Sequence, residues 1–598
     1  MERTKNEKSF EEKMFEVCMR EKKINKNISQ DEKIDKLEKL ITEKLVNYVS
    51  DNCFNEKQIN GLIKMITSIC IDSGIKELQM VASHIEFEGI EKFEDTGCQT
   101  FRLPAECNIK RKKMKNPDTS AYVIDFQKDI KNYLNSLKVP ISINKIDLLL
   151  YGDDITVSQP LGPSRRQNSF THLAYRVMNI DIIKSSSLYH YRTLAIAYTK
   201  YAKQDRYESL IKQCIELINS TTIDIDGKKI PVGVKFVVGD NVFLNCALKA
   251  PLIFTNRGRN NCRTCTVSGP DWVKYKTPDE VKKYVRIKHS VPHIPVDNHL
   301  LSDPFHDVLS GVLNYVLSGC VNVFLSLTKK VVSEDNLIKL ILEQADIFNR
   351  QNEIRTLMYT GIFKALKCTG KRRLNLSGSQ ILLISRCFYT ILTTNTWPNV
   401  DGSTIIKLDE IKLLLEISLN LAYGTIDYTT EVPKLAEIFH KNVEKLFELL
   451  FKLFGQNFSI TAKMHNLLHY SYCIKKLNLR PSEYSTIRFE SSNTRIKKIL
   501  FNTKSRINPC KTVIKRINFI NDLNFKLKNY VLGKSTETIH DWNYTNVEIP
   551  TKSLQVDDPV EQNVLETSSF LLEYIEDNET LSNEFEPDDD PIDFTYYP

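Results

Sequence analysis

Two short apolar runs that end on aspartate constrain this chain more than any other feature. "VPISINKIDLLLYGDD" (139–154) is β-branched and apolar and stops at Asp153 and Asp154, and "GVKFVVGD" (233–240) stops at Asp240. Runs of this length and composition predict buried strands. A carboxylate at the end of such a strand is costly unless it faces solvent, is hydrogen-bonded or binds a cation. If the two strands are sheet neighbours, their carboxylates lie close and repel, and a divalent cation relieves that repulsion. Hard carboxylate oxygens select Mg²⁺ or Mn²⁺. Turn or capping aspartates are the alternative reading.

The segments between them support a mixed core. "YRTLAIAYTKYAKQDRYESLIKQCIELINS" (191–220) predicts a helix. "TTIDIDGKKIPVGVKFVVGDN" (221–241) predicts two strands around an Asp226-Gly227 turn. Strands and helix in this order predict an α/β core whose first part runs over 139–268. Residues 1–96 form a charged helical N-terminal region, in which Ile34, Leu37, Leu40, Ile41 and Leu45 share one face. Residues 97–138 are a basic linker up to Thr119, followed by a helix in "AYVIDFQKDIKNYLNSL" that Pro140 ends. Long helical patterns, among them "KLDEIKLLLEISLNLAY", fill 269–460 as an all-α region. The core resumes over 461–535, and 536–598 is an acidic tail expected to be disordered.

Within the helical region, Val308 to Thr328 runs for 21 residues without a charge, long enough for a membrane span. Asn314, Asn322 and three serines interrupt it, so a buried core helix is expected and no membrane partner. The opening "MERTKNEKSFEEKMFE" has no apolar stretch behind it and predicts no secretory leader. Fourteen cysteines are scattered with one pair at ligand spacing, which suits reduced thiols in the cytosol or nucleus.

Charge is unevenly spread. Fourteen acids and one lysine in residues 551–598 give −13, so the net +8 of the chain leaves +21 on residues 1–550. The basic residues cluster at Lys110, Arg111, Lys112 and Lys113, and again from Arg495 through Lys497 and Lys498 to Arg516. Basic clusters beside an acidic tail point to a polyanion such as DNA; solvated helix faces are the alternative.

Cys262 and Cys265 form a Cys-x-x-Cys pair that supplies half of a tetrahedral zinc site. "KMHNLLHY" places His465 and His469 at i, i+4 on one helix face and supplies the other half. One Zn²⁺ bound by all four would tie the sequence just after Asp240 to the sequence just before Glu490. That spacing singles out Glu490, in "IRFE", from several competing glutamates as a third acid.

Taken in order, these motifs resemble the transposases of CACTA (EnSpm) elements, in particular their animal branch. The matching pieces are Asp153-Asp154 leading to Pro160-Leu161-Gly162, then Gly239-Asp240-Asn241, then Cys262-x-x-Cys265. "DPFHDVLSG" (303–311), "KMHNLLHY" (463–470) and "IRFE" (487–490) follow, over about 139–520. The resemblance implies an RNase H-like DDE catalytic core interrupted by a large α-helical insertion. It implies that Asp153 (or Asp154), Asp240 and Glu490 hold two Mg²⁺ ions for cleavage and strand transfer at element ends. It further implies an auxiliary His306 at the scissile phosphate, a nuclear location and a homo-oligomer on DNA. A helix-capping Asp303 with a packed His306 is the alternative for that motif. Gln159 stands where the family has Asn, Phe305 where Met is common, and the usual His after Glu490 is missing. Two other functions stay open: a domesticated DNA- or chromatin-binding derivative with weak or no catalysis, and a zinc-stabilised helical interaction scaffold.

Overall fold

The computed structural model describes residues 98–103, 120–137, 143–156, 169–180, 188–225, 227–287, 291–329, 331–359, 374, 376–395, 401–455, 460–502 and 508–534. The N-terminal region expected to be helical (1–96), the Lys110–Lys113 cluster, Gln159 to Pro163 and the acidic tail lie outside them.

Seven strands form one mixed sheet: β1 (Cys98–Arg102), β2 (Ser120–Ile124), β3 (Ile146–Thr156), β4 (Ser169–Val177), β5 (Arg192–Tyr198), β6 (Thr222–Ile225) and β7 (Lys228–Gly239). Their order is β1-β2-β5-β4-β3-β7-β6. Every neighbouring pair is antiparallel except β3 and β7, which run parallel. The two apolar runs are therefore sheet neighbours, and both carry their aspartates out of the same end. The β6–β7 hairpin turns where it is expected, with Gly227 at φ 81° and its N–H bonded to Asp224 Oδ1 at 3.0 Å.

Three stretches differ from the sequence expectation. The sheet begins upstream of residue 139: β1 lies in the supposed loop, and the start of the supposed helix at 121 is β2. Ala121 to Ile124 is apolar and fully buried or nearly so, which favours a strand. Asp125 then starts the helix α1 (Phe126–Ser136) by accepting the Lys128 N–H at 3.2 Å. Likewise 192–198 is a strand, and the helical part of this stretch is reduced to a short turn at Thr199–Ala202 and the helix α2 (Glu208–Asn219). β4 had no sequence signal, because almost every residue of it is buried and it shows no alternation.

α1, α2 and the late helix α11 (Pro509–Lys534) contribute to one core with Leu148, Leu150, Val237 and Ile196 of the sheet. Buried Asp129 on α1 helps hold this layer together. It pairs with Arg192 on β5 and accepts Tyr175 Oη at 2.6 Å and Asn521 Nδ2 of α11 at 3.0 Å. The opposite face, with Leu149, Tyr151 and Val238, packs on Leu301, Tyr484 and Phe489.

After β7 comes the short helix α3 (Asn241–Ala247), the cysteine loop and then a separate helical body with its own core. The body contains a π-helical segment (Phe305–Leu313), α4 (Asn314–Leu327), α5 (Glu334–Ile347), α6 (Gly378–Thr394), α7 (Gly402–Gly424), α8 (Val432–Phe454) and α9 (Ala462–Leu477). α8 shows why these form: Leu435, Phe439, Val443, Leu446 and Leu450 recur at helical spacing and are buried. Gly455, at φ 83°, stops it. The uncharged 308–328 stretch lies in this core, with Val312, Val316, Cys320 and Phe324 nearly inaccessible. One helical run, Val296–Leu327, is long and apolar enough to cross a membrane, but 72% of its apolar window is buried inside the protein. The chain then returns to the sheet through α10 (Ile487–Asn502) and α11.

β3 and β7 can approach so closely because glycines face each other, Gly152 beside Gly239. A Cβ on Gly239 would lie 2.4 Å from the Gly152 carbonyl oxygen and 2.5 Å from the Phe243 ring. Gly239→Ala is therefore expected to destabilise the protein by about 1–3 kcal/mol through overpacking against backbone. Chemical denaturation would read the loss, and unchanged stability would contradict this packing.

Candidate active site and metal centre

Alternation along β3 separates the two adjacent aspartates. Asp154 turns to the α2 side, where it accepts Thr171 Oγ1 at 2.7 Å, Tyr207 Oη at 2.8 Å and Lys203 Nζ at 2.6 Å. Asp153 turns to the other face, toward α10. The β3–β7 register, with Tyr151 beside Val238 and Gly152 beside Gly239, brings Asp153 next to Asp240. Asp240 caps α3, accepting the Phe243 N–H at 2.6 Å. Phe489 stacks on Tyr151 with ring centroids 4.5 Å apart, and this places the next residue, Glu490, over the strand end.

Two side chains that sequence reasoning missed join these acids. Tyr151 Oη lies 3.1 Å from both Asp153 Oδ2 and Glu490 Oε1. Asn493 Nδ2 lies 3.2 Å from Asp153 Oδ2 and 3.3 Å from Glu490 Oε2. With its amide donating there, Asn493 Oδ1 accepts from His172 Nδ1 at 2.7 Å. His172 Nε2 then accepts from Thr193 Oγ1 at 3.1 Å. Burial lowers the pKa of His172 to about 4, so the ring is neutral in this chain of bonds.

The site brings like charges together. Burial, and then the charges of Glu490, Asp240 and Asp154, hold the Asp153 carboxyl well above the usual range. Burial also raises Asp240, with Asp154 and Asp303 adding to it while His306 and the Phe243 amide oppose it. His306 lies on the π-helical segment with Nδ1 bonded to Asp303. Asp303 also accepts the Thr486 hydroxyl and N–H, so it ties this segment to the start of α10. Asp303 accepts the Phe305 N–H at 3.2 Å, and His306 lies close enough to Asp240 to lower its pKa. Burial disfavours the imidazolium, but Asp303 outweighs it and raises His306 to about 9. Lys463 at the start of α9 is close enough to oppose that charge, and sequence reasoning missed it too.

The four predicted zinc ligands come together. Cys262, Cys265, His465 and His469 are buried, and their donor atoms all lie within 4.8 Å of one another. His465 Nε2 to His469 Nε2 is 3.3 Å, Cys262 Sγ to His469 Nε2 is 3.5 Å and Cys265 Sγ to His465 Nε2 is 3.3 Å. Tetrahedral zinc with ordinary bond lengths would separate N from N by about 3.3 Å and S from N by about 3.5 Å. The donor set therefore fits such an ion. Trp272 stacks on His465 at 4.7 Å, and the Nδ1 atoms of both histidines are buried without hydrogen-bond partners. Packing rather than an outer hydrogen bond orients these rings. Among the described residues this is the one group of three or more Cys, His, Asp or Glu side chains arranged to hold a metal. The carboxylates at the strand ends are neighbours without that convergence.

Of the second basic cluster, Lys497 is exposed and Lys498 half-buried. Arg495 is also half-buried, with Nε and one terminal nitrogen shielded from solvent. A scan against protein-family models and a search of curated proteins each find no match.

Two outcomes are expected. Cys265→Ser should lower bound zinc, measured by elemental analysis, and the unfolding temperature, because a structural metal contributes directly to folding. His306, raised from 6.5 to about 9 in the folded protein, stabilises it fully below pH 6.5. That contribution fades as pH rises through 9, and His306→Gln should flatten this part of a stability-versus-pH curve.

Proposed function

We propose that this chain is a DNA transposase of RNase H-like fold, cutting and joining DNA at element ends in the nucleus as a homo-oligomer. The observation that carries the reading is the meeting of Asp153, Asp240 and Glu490 at one end of the sheet. They come from segments far apart in the chain, on β3, after β7 and on α10. The mixed sheet, interrupted by a helical body before α10 and α11 return to it, supports an RNase H-like core with a large all-α insertion.

Buried carboxyls that repel one another are the donor chemistry that suits hard divalent cations. Two Mg²⁺ or Mn²⁺ ions bound there would supply an activated water or 3′-hydroxyl and stabilise the leaving oxygen. The chain's own groups orient that chemistry. Tyr151 and Asn493 fix Asp153 against Glu490, α3 fixes Asp240, and Asp303 holds His306 protonated at neutral pH beside the acids. A protonated His306 can donate to a phosphate oxygen or to the departing oxygen. Zn²⁺ at the Cys/His set would be structural, and Lys497 and Lys498 offer charge to DNA phosphates. Asp154, neutralised by Lys203 and hydrogen-bonded three ways, is a structural acid and not a ligand.

The test compares full-length protein and variants on a duplex carrying the sequences that flank the gene, with Mg²⁺ or Mn²⁺. Asp153→Asn and Asp240→Asn should each reduce strand cleavage by on the order of a thousandfold, with zinc retained. Asp154→Asn should keep cleavage and cost about 1–3 kcal/mol of stability. Cleavage unaffected by Asp240→Asn would refute the assignment. DNA binding without cleavage by the wild type would favour the domesticated reading, and neither binding nor cleavage the interaction scaffold.

A further inference from the structure

Each half of the Cys/His set carries a buried polar residue between its two ligands that reaches away from the set, Arg263 in one and Asn466 in the other. Arg263, between Cys262 and Cys265, is 4% exposed. Its Nε donates to the Leu301 carbonyl at 2.9 Å, Nη1 to Asn245 Oδ1 at 3.1 Å and Nη2 to Ser302 Oγ at 3.1 Å. Asn245 lies on α3, the helix that Asp240 caps, and Leu301-Ser302 leads directly into Asp303. Asn466, between His465 and His469, donates Nδ2 to both oxygens of Asp307 at 3.0 and 3.2 Å and to Asn241 Oδ1 at 3.5 Å. Asp307 also accepts from Asn241 Nδ2 at 2.9 Å and Tyr470 Oη at 3.4 Å. Asn241 follows Asp240, and Asp307 follows His306.

Each half of the set is thus bonded both to the segment that carries Asp240 and to the segment that carries His306. The Arg263 guanidinium and the Asp307 carboxylate feel each other's charge, but their hydrogen bonds go only to neutral groups, and apolar residues would pack there at lower cost. What these groups add is direction, because every hydrogen bond fixes a segment relative to a metal ligand. We propose that Arg263 and Asn466 are positioning residues that couple occupancy of the Cys/His centre to the placement of Asp240 and His306. The inference rests on Asp153, Asp240 and Glu490 forming a cation-binding centre. An ion that draws Cys262 and Cys265 against His465 and His469 locks Arg263 relative to Asn466, and both segments with them.

The test uses full-length protein with zinc bound and Mn²⁺ alone as the probe of the acidic centre. Mn²⁺ affinity is followed by paramagnetic resonance, and Asp240→Asn identifies the signal. Asn466→Ala should keep its zinc yet bind Mn²⁺ about 10–100-fold more weakly, the usual effect of losing an outer-shell partner. Arg263→Lys keeps the charge but not the three-way fork and should weaken Mn²⁺ in the same direction. Amide hydrogen exchange over 239–245 and 301–307 should accelerate in Asn466→Ala. Wild-type Mn²⁺ affinity and unchanged exchange in zinc-loaded Asn466→Ala would overturn the coupling and leave the transposase reading intact. If the wild type itself shows no Mn²⁺ signal that depends on Asp240, the proposed cation centre falls. Exchange then decides the coupling: acceleration supports it and no change overturns it.

Discussion

The parallel contact between β3 and β7 sets everything at the acidic end of the sheet. Parallel neighbours need a long crossover, and this chain spends β4, β5, α2 and β6 on it before β7 arrives. Gly152 and Gly239 let the two backbones close up, and Phe243 fills the space their missing side chains leave. Phe243 belongs to α3, whose cap is Asp240, so strand spacing, ring position and the placement of that carboxylate are one arrangement. Glu490 is added from outside, held by the stacking of Phe489 on Tyr151.

The parts legible in the sequence were those with a local signature. Aspartates at the ends of apolar runs, the turn before β7, the long amphipathic helices and the two half-sites at ligand spacing all announce themselves within a dozen residues. β4 and β5 do not, since strands buried on both faces lose the alternation that marks a strand. β2 was masked by its continuity with α1, where only Asp125 separates the two. The choice between Asp153 and Asp154 depends on strand parity relative to Asn493, 340 residues away, which no local pattern contains. Tyr151, Asn493 and Arg263 were visible as residues, but their roles come from long-range contacts.

Two acids, Asp129 buried and Asp153 half-buried, show how differently this protein treats charge. Asp129 is neutralised within the fold by Arg192, and its remaining lone pairs are taken by Tyr175 and Asn521. Asp153 has neutral donors only, and its nearest charges are other carboxylates. The first arrangement is complete and stiffens the layer between α1, β5 and α11. The second leaves like charges side by side, at the end of the sheet where β3, the turn after β7 and α10 meet.

The π-helical segment has a consequence of its own. In an i→i+5 helix each turn takes more residues than the 3.6 of an α-helix, so the two ends of the long helical run are out of angular step. Its first turn carries His306 toward the acids and Asp307 to Asn241 and Asn466, while Val316, Cys320 and Phe324 beyond it are buried in the helical core. Gly311 permits this winding, since a Cβ there would lie 2.5 Å from the His306 carbonyl. Losing a single residue between 305 and 313 would therefore not simply shorten the helix. It would change the angular offset between the two ends, so that the core face and the side chains on the first turn could no longer both keep their partners.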